Sequence, residues 1–278
     1  MAAEAQGWLE PGRFDAGRVR THAGFRSRYL AGERAVRVYL PPGYEEEKGR
    51  RYPLLILQDG QNLFDPEAAF VRGRTWRLAE TAEAAMAAGE AEPLVIAGVD
   101  HGGERRLAEY TPTRDAERGG GEAAAYGTML IDEVLPFLRT MYRLETEAER
   151  TGLGGSSLGG LVSLWLGLRY PETFGRVAAL SPSVWWDERF ILGYVEARAR
   201  ELRQRPRIWL DAGDAESEQT MADAELLERQ LRLNGWRQGQ DLHFERVRGG
   251  THDEEAWAER VRPMLRFLFP GRRTDPAR

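Results

Sequence analysis

Four short apolar runs constrain this chain more than any other feature. Tyr52–Leu57, Pro93–Val99, Val177–Ser181 and Arg207–Asp211 are each built on aliphatic residues and bounded by turn formers or charges. Runs of that length suit strands buried on both faces. Between and after them lie helix-patterned stretches at roughly 75–89, 122–141, 158–170, 187–203, 219–234 and 254–269. Parallel strands need crossover connections, and helices supply them. The pattern predicts an α/β fold with a mostly parallel central sheet and helices on both faces.

The N-terminal part reads differently. Arg18–Tyr29 and Arg34–Leu40 alternate polar with apolar residues around Ala31-Gly32-Glu33. That alternation predicts an antiparallel hairpin at one edge of the sheet. No internal repeat and no dividing linker is visible, so the 278 residues are expected to form one domain. Its core should run from about residue 15 to 270 between short flexible termini, with the charged tail from Gly271 frayed. Arg118-Gly-Gly-Gly-Glu122 reads as a flexible loop before a helix. It follows no convincing strand and lacks the spacing of a nucleotide loop, which disfavours a phosphate-cradling role.

Composition removes several function classes. With 42% hydrophobic and 30% charged residues, the chain has the make-up of a globular protein, not a disordered one. A net charge of −5 gives no electrostatic reason to expect nucleic acid as a partner. The absence of cysteine excludes a thiolate nucleophile, thiolate metal ligation and disulfides. Four scattered histidines without paired spacing disfavour zinc, and no metal or organic cofactor is expected. Met1–Trp8 lacks a basic start followed by an apolar run. No stretch approaches the roughly 18 apolar residues of a spanning helix. The expectation is a cytoplasmic protein with no membrane partner.

The chemistry concentrates in Thr151-Gly-Leu-Gly-Gly-Ser-Ser-Leu-Gly-Gly160, which contains the elbow Gly155-Ser156-Ser157-Leu158-Gly159. A strand-to-helix elbow turns sharply through a strained nucleophile, so its neighbours must be small. Among 31 glycines the bare pattern can arise by chance, and context gives it weight. A helix-patterned run, Leu158–Tyr170, follows directly and stops at Pro171. Ser157 is therefore the candidate nucleophile, with the Leu158 amide as an oxyanion donor.

The base follows by elimination, because this arrangement runs serine, acid, histidine along the chain. His22 and His101 precede Ser157, and His243 sits inside the strand-like Leu242–Val247 as a structural residue. His252, in Gly249-Gly-Thr-His252, falls between that strand and a helix, where catalytic loops collect. For the acid, Arg207–Glu218 offers several carboxylates beyond a strand. Asp214 and Glu216 are the alternatives, with helix capping by Asp214 or Ser217 as the competing use.

These residues resemble a known family. Tyr39-Leu-Pro-Pro-Gly-Tyr44, Leu57-Gln-Asp-Gly-Gln-Asn-Leu-Phe64, the elbow, Leu180-Ser-Pro-Ser183 and Gly250-Thr-His252 are similar to the esterases grouped with enterochelin esterase. That group includes esterase D, feruloyl and acetyl-xylan esterase domains, and the mycolyltransferases. The resemblance implies an α/β-hydrolase fold without a large lid domain. It implies a second oxyanion amide from Gln61 and points to Glu216 as the acid. It also makes Ser181–Asp187 a pocket wall, in which Trp185 or Trp186 stacks on an aromatic ring or sugar or else fills the core. Asp100–Pro112 leaves a strand at the same edge and offers Arg105, Arg106 or Tyr110 to the substrate, with plain solvation as the arginines' other use.

The expected function is a serine carboxylic ester hydrolase working through an acyl-enzyme on a small-molecule or carbohydrate-linked ester. An acyltransferase with the same triad and a non-catalytic binding protein on the same scaffold are the alternatives.

Overall fold

The computed structural model describes residues 18–271; the termini expected to be flexible, including the tail beyond Gly271, lie outside the described residues. The expected hairpin forms from β1 (Val19–Arg26) and β2 (Glu33–Tyr39). Next come β3 (Leu54–Gln58), α1 (Leu78–Ala87), β4 (Val95–Val99) and the short α2 (Arg106–Glu109). Two-residue strands β5 (Arg114–Asp115) and β6 (Gly119–Gly120) precede α3 (Ala123–Met129), which continues through a π-helical turn into α4 (Leu135–Met141). Then follow β7 (Thr151–Ser156), α5 (Leu158–Arg169), β8 (Arg176–Leu180) and α6 (Trp186–Ala199). The described residues finish with β9 (Arg207–Gly213), α7 (Glu218–Leu233), β10 (Leu242–Val247) and α8 (Glu254–Leu268).

Among the described residues, eight strands form one sheet in the order β1-β2-β4-β3-β7-β8-β9-β10. β2 pairs antiparallel with both β1 and β4, and every other neighbouring pair is parallel. The period-2 geometry of strands explains the continuous apolar runs. Leu54 and Ile56 join the core under α3 to α7, whereas Leu55 and Leu57 join the core under α1 and α8. Ile208 and Leu210 divide from Trp209 in the same way. A single helix, α6, joins β8 to β9, with no inserted lid in that connection.

One expectation is corrected. Arg118–Glu122 is not a free loop: Gly119 and Gly120 pair with Asp115 and Arg114 in a small antiparallel ribbon. Gly119, Gly120 and Gly121 all have positive φ, and the Gly121 amide donates to Thr111 Oγ1 at 3.0 Å. Glycine tolerates that backbone without a Cβ penalty, so the run builds a tight return instead of a mobile segment.

The parallel strands end together at one edge of the sheet. The turns after β3, β7, β8, β9 and β10 carry Gln61, Ser157, Ser183, Glu216 and His252 respectively. Ligand and catalytic groups gather at such carboxyl ends in α/β sheets.

Candidate active site

Ser157 sits between β7 and α5 with φ 56° and ψ −123°, a strained conformation for a residue with a Cβ. The turn is pinned from both sides. The Ser157 amide donates to Leu180 O at 3.0 Å, and the Ser183 amide donates to Ser157 O at 3.0 Å. Gly155 is required by contact: a Cβ there would lie 2.8 Å from the Gly159 carbonyl carbon. Leu158 is the first residue of α5, so its amide has no intrahelical acceptor.

The turn after β3 is built as tightly. Asp59 adopts the left-handed conformation and leads into a 3₁₀ turn, Gly60–Asn62. The Asn62 amide makes the turn's first bond, to Asp59 O at 2.9 Å, and the Gln61 amide precedes it without an acceptor inside the turn. Arg106 grips the Asp59 carboxylate with a two-pronged contact of 2.7 and 2.8 Å, and the Asp59 amide donates to the Tyr110 hydroxyl at 3.2 Å. Burial opposes the Arg106 charge, but the bonds to Asp59 more than offset that cost and raise its pKa. Asn62 ties three segments together. Its Oδ1 accepts the Phe70 amide at 2.9 Å and its Nδ2 donates to Glu254 Oε1 at 3.0 Å.

His252 follows β10, and its Nδ1 lies 2.8 Å from Glu216 Oε2. The Glu216 side chain is 1% exposed, against 40% for His252. Its Oε1 accepts from Ser181 Oγ at 2.5 Å, the Gly213 amide at 2.7 Å and Arg260 Nη2 at 3.3 Å. Burial alone would raise the Glu216 pKa. The bonds from His252, Ser181 and the Gly213 amide outweigh it and hold the carboxyl below its ordinary range. An ionised acceptor at Nδ1 leaves the proton there and turns Nε2 into the free acceptor. The edge of the ring rests on Trp257, with centroids 5.0 Å apart.

Ser157 and His252 face one cleft of about 250 Å³, lined also by Gln61, Phe70, His101, Arg106 and Trp257. In this resting arrangement the Ser157 hydroxyl pairs with Ser183 Oγ at 3.2 Å, and His252 pairs with Glu216. A larger groove of about 650 Å³ flanks the other side of the His252 loop, but neither Ser157 nor His252 lines it.

The structure brings Ser157, His252, Glu216 and Gln61 to one place and sends the other candidates elsewhere. Asp214 Oδ1 accepts the Gly249 amide at 2.6 Å and so fastens the loop before His252. Helix capping falls to Ser217, which accepts the Thr220 amide at 3.0 Å. Trp186 is 1% exposed and bonds Thr113 O through its indole at 3.2 Å, a core position. Trp185 is exposed, beneath the Arg118 guanidinium, and does not line the cleft. Arg105 pairs with Glu122, and Tyr110 is fully buried behind the Asp59 turn. Consecutive residues of a helix point about 100° apart, so the segment delivers Arg106 to the cleft and turns Arg105 away.

Sequence reasoning missed four residues of this site. His101 was set aside as a base, yet it forms part of the cleft wall, with its amide donating to Gln61 Oε1 at 3.3 Å. Phe70 and Arg260 carried no motif, and Ser183 stood in the Leu180–Ser183 motif without a role of its own. Arg260 did leave one signal, because it shares a helical stripe with Trp257, Val261 and Met264. The remaining histidines are structural: His243 stacks on Trp209 at 4.4 Å, and His22 Nε2 bonds the Tyr142 hydroxyl at 2.6 Å.

Among the described residues no helix is long and apolar enough to cross a membrane. The uncharacterized protein YbbA of Bacillus subtilis (strain 168) is 31% identical over 170 residues, covering 59% of this chain and 62% of that protein. The iron(III) enterobactin esterase of Dickeya dadantii (strain 3937) is 29% identical over 272 residues, covering 92% of this chain and 56% of its own length. The chain thus spans about 60% of the length of these curated relatives. A solved structure named ferulic acid esterase superposes with a TM-score of 0.71 at 24% identity, covering 90% of this chain and 97% of that one. The fold is that of the α/β-hydrolases. The family model described as "Putative esterase" matches residues 27–268, nearly the whole described chain, and the protein belongs to that family.

Proposed function

We propose that the protein is a serine-dependent carboxylic ester hydrolase, acting as a single domain in the cytoplasm on small-molecule or carbohydrate-linked esters. The observation that carries this reading is the 2.8 Å contact between His252 Nδ1 and the buried Glu216, facing the cleft that also holds the strained Ser157. Relatives named for enterobactin and ferulic acid esterase activity support an ester substrate.

In this mechanism the Ser157 hydroxyl leaves Ser183 and turns to His252 Nε2, which takes its proton as Oγ attacks the ester carbonyl. The amides of Gln61 and Leu158 receive the negative charge on the carbonyl oxygen. Glu216 holds the tautomer and stabilises the imidazolium. The C–O bond to the alcohol then breaks, and His252 returns the proton to the departing oxygen. Water repeats the cycle on the acyl-enzyme, releasing the acid and restoring Ser157.

The test is hydrolysis of short p-nitrophenyl esters by the protein beside Ser157→Ala, with fluorophosphonate labelling in parallel. Activity and labelling that both vanish in the variant are the expected result. Equal activity in the two proteins would overturn the assignment of the nucleophile, and a wild-type protein that neither turns over nor labels would overturn the enzyme reading.

A further inference from the structure

Behind Glu216 lies a second buried charge pair that the mechanism above does not use. Arg260, in the middle of α8, is 2% exposed. Its Nη1 donates to Asp211 Oδ1 and to Ser181 Oγ, each at 2.7 Å. Its Nη2 donates to Glu216 Oε1 at 3.3 Å and to the carbonyl of Thr251, the residue before His252, at 3.1 Å. One guanidinium therefore touches the exits of β8, β9 and β10. Asp211 is wholly buried; its Oδ2 accepts the Trp209 indole at 2.6 Å and its Oδ1 lies 3.3 Å from the Ser181 amide.

The charges of this cluster have a consequence for the imidazole. Glu216 and Arg260 alone would form a neutral pair, and an imidazolium forming beside a neutral pair gains little. Ionised Asp211 brings the cluster to one net negative charge, which the imidazolium of the proton-transfer step neutralises. In a buried setting that difference is poorly screened. Asp211 is faced by Arg260 from α8, by the Trp209 indole on its own strand, and by Ser181 from the β8 exit. Burial pushes its carboxyl up to about 6 against the pull of Arg260 and Trp209, so it carries its charge from neutral pH upward.

We propose that Arg260 and Asp211 are positioning residues for His252: Arg260 locks Glu216 and the His252 loop in place, and Asp211 cancels the guanidinium charge so that the imidazolium is still favoured. The proposal rests on the Ser157, Glu216 and His252 reading. It assigns a catalytic consequence to a carboxylate that does not touch the imidazole.

The test compares pH–rate profiles of wild type, Asp211→Asn and the double variant Asp211→Asn/Arg260→Gln on p-nitrophenyl acetate. Asp211→Asn should lower kcat about tenfold with little change in KM, and should move the acidic limb to lower pH by about half a unit or more. The double variant leaves Glu216 as the only charge behind the ring, so its acidic limb should return toward the wild-type position. A merely structural role predicts the reverse order, with the double variant the worse of the two and no limb displaced. Identical limbs in all three proteins would overturn the proposal.

If Asp211→Asn does not fold, Asp211→Ser, which also removes the charge and still offers an oxygen to the Trp209 indole, replaces it in the comparison. It should lower the limb in the same way, and a limb equal to wild type again overturns the proposal. Ser157→Ala, assayed alongside, separates the two failures. Unmoved limbs with an inactive Ser157→Ala sink only the role of Asp211 and Arg260, whereas an active Ser157→Ala sinks the nucleophile assignment itself.

Discussion

The two oxygens of Glu216 are divided between His252 and the rest of the protein: Oε2 meets His252 Nδ1 at 2.8 Å, and Oε1 takes the donors from Ser181, Gly213 and Arg260. The second set fixes the carboxylate so that the first contact needs no adjustment. Asp214, two residues earlier, has a different task at Gly249. Glu216→Gln should therefore cut kcat by about a hundredfold or more, as expected when the group orienting a triad histidine loses its charge. Asp214→Asn should keep kcat within about threefold and cost about 1 kcal/mol of stability, the worth of a typical hydrogen bond. Steady-state kinetics and urea denaturation on both variants check the pair, and the opposite ranking in kcat would make Asp214 the acid.

The depressed titration of Glu216 carries a pH signature with a definite sign. A carboxyl held below its unfolded value stabilises the native state fully above that value, and the benefit fades as pH falls through the folded one. The stability margin of wild type over Glu216→Gln should shrink as pH falls below about 4.5. Chemical denaturation across that range tests it. A margin that grows below about pH 4.5 would contradict the assignment.

Strain at Ser157 gives a prediction in which stability and activity part. Glycine accepts φ 56° and ψ −123° more readily than serine does. Ser157→Gly should gain about 1 kcal/mol in denaturation while losing turnover. Ser157→Ala keeps a Cβ and should stay near wild-type stability. If the two variants denature together, the elbow stores no usable strain.

The adjacent tryptophans should behave as different kinds of residue. Trp186 fills the core, and its truncation to Ala should cost about 3–5 kcal/mol. Trp185→Ala should change stability by less than about 1 kcal/mol. Thermal denaturation of the two single variants decides the matter.

Asn62 links the Gln61 turn to the Phe70 segment and to the start of α8. Asn62→Ala should lower kcat/KM about tenfold by loosening that turn, with a smaller loss of global stability. An unchanged kcat/KM would mean that the turn holds its shape through Asp59 and Arg106 alone.

Much of this arrangement was legible because burial on both faces leaves a strong trace. Leu54–Gln58 and Val95–Val99 are continuous apolar runs because α1 and α8 cover one face of the sheet while α3 to α7 cover the other. The elbow was legible because a strained turn demands glycine, and His252 because few histidines compete for its place. The choice between Asp214 and Glu216 could not be read from the residues themselves. Both follow β9 within three residues of Gly213, and what holds one inward is a set of partners from distant segments, Ser181, His252 and Arg260. Arg260 was hidden for the same reason: a charged residue among Glu259, Arg262 and Arg266 reads as solvated until its apolar stripe is traced. Trp185 and Trp186 illustrate a different loss, since neighbouring identical residues carry no mark of which one faces inward.

The last strand–helix unit supplies both His252 and Arg260, whereas Ser157 belongs to a strand more than eighty residues earlier in the chain. A ribosome making this protein releases the elbow long before the residues that would activate it. Through that interval the growing chain holds a serine with neither base nor fixed carboxylate. On the proposed mechanism, hydrolytic power is withheld from every nascent chain that stops short of His252 and appears only when β10 docks at the sheet's edge.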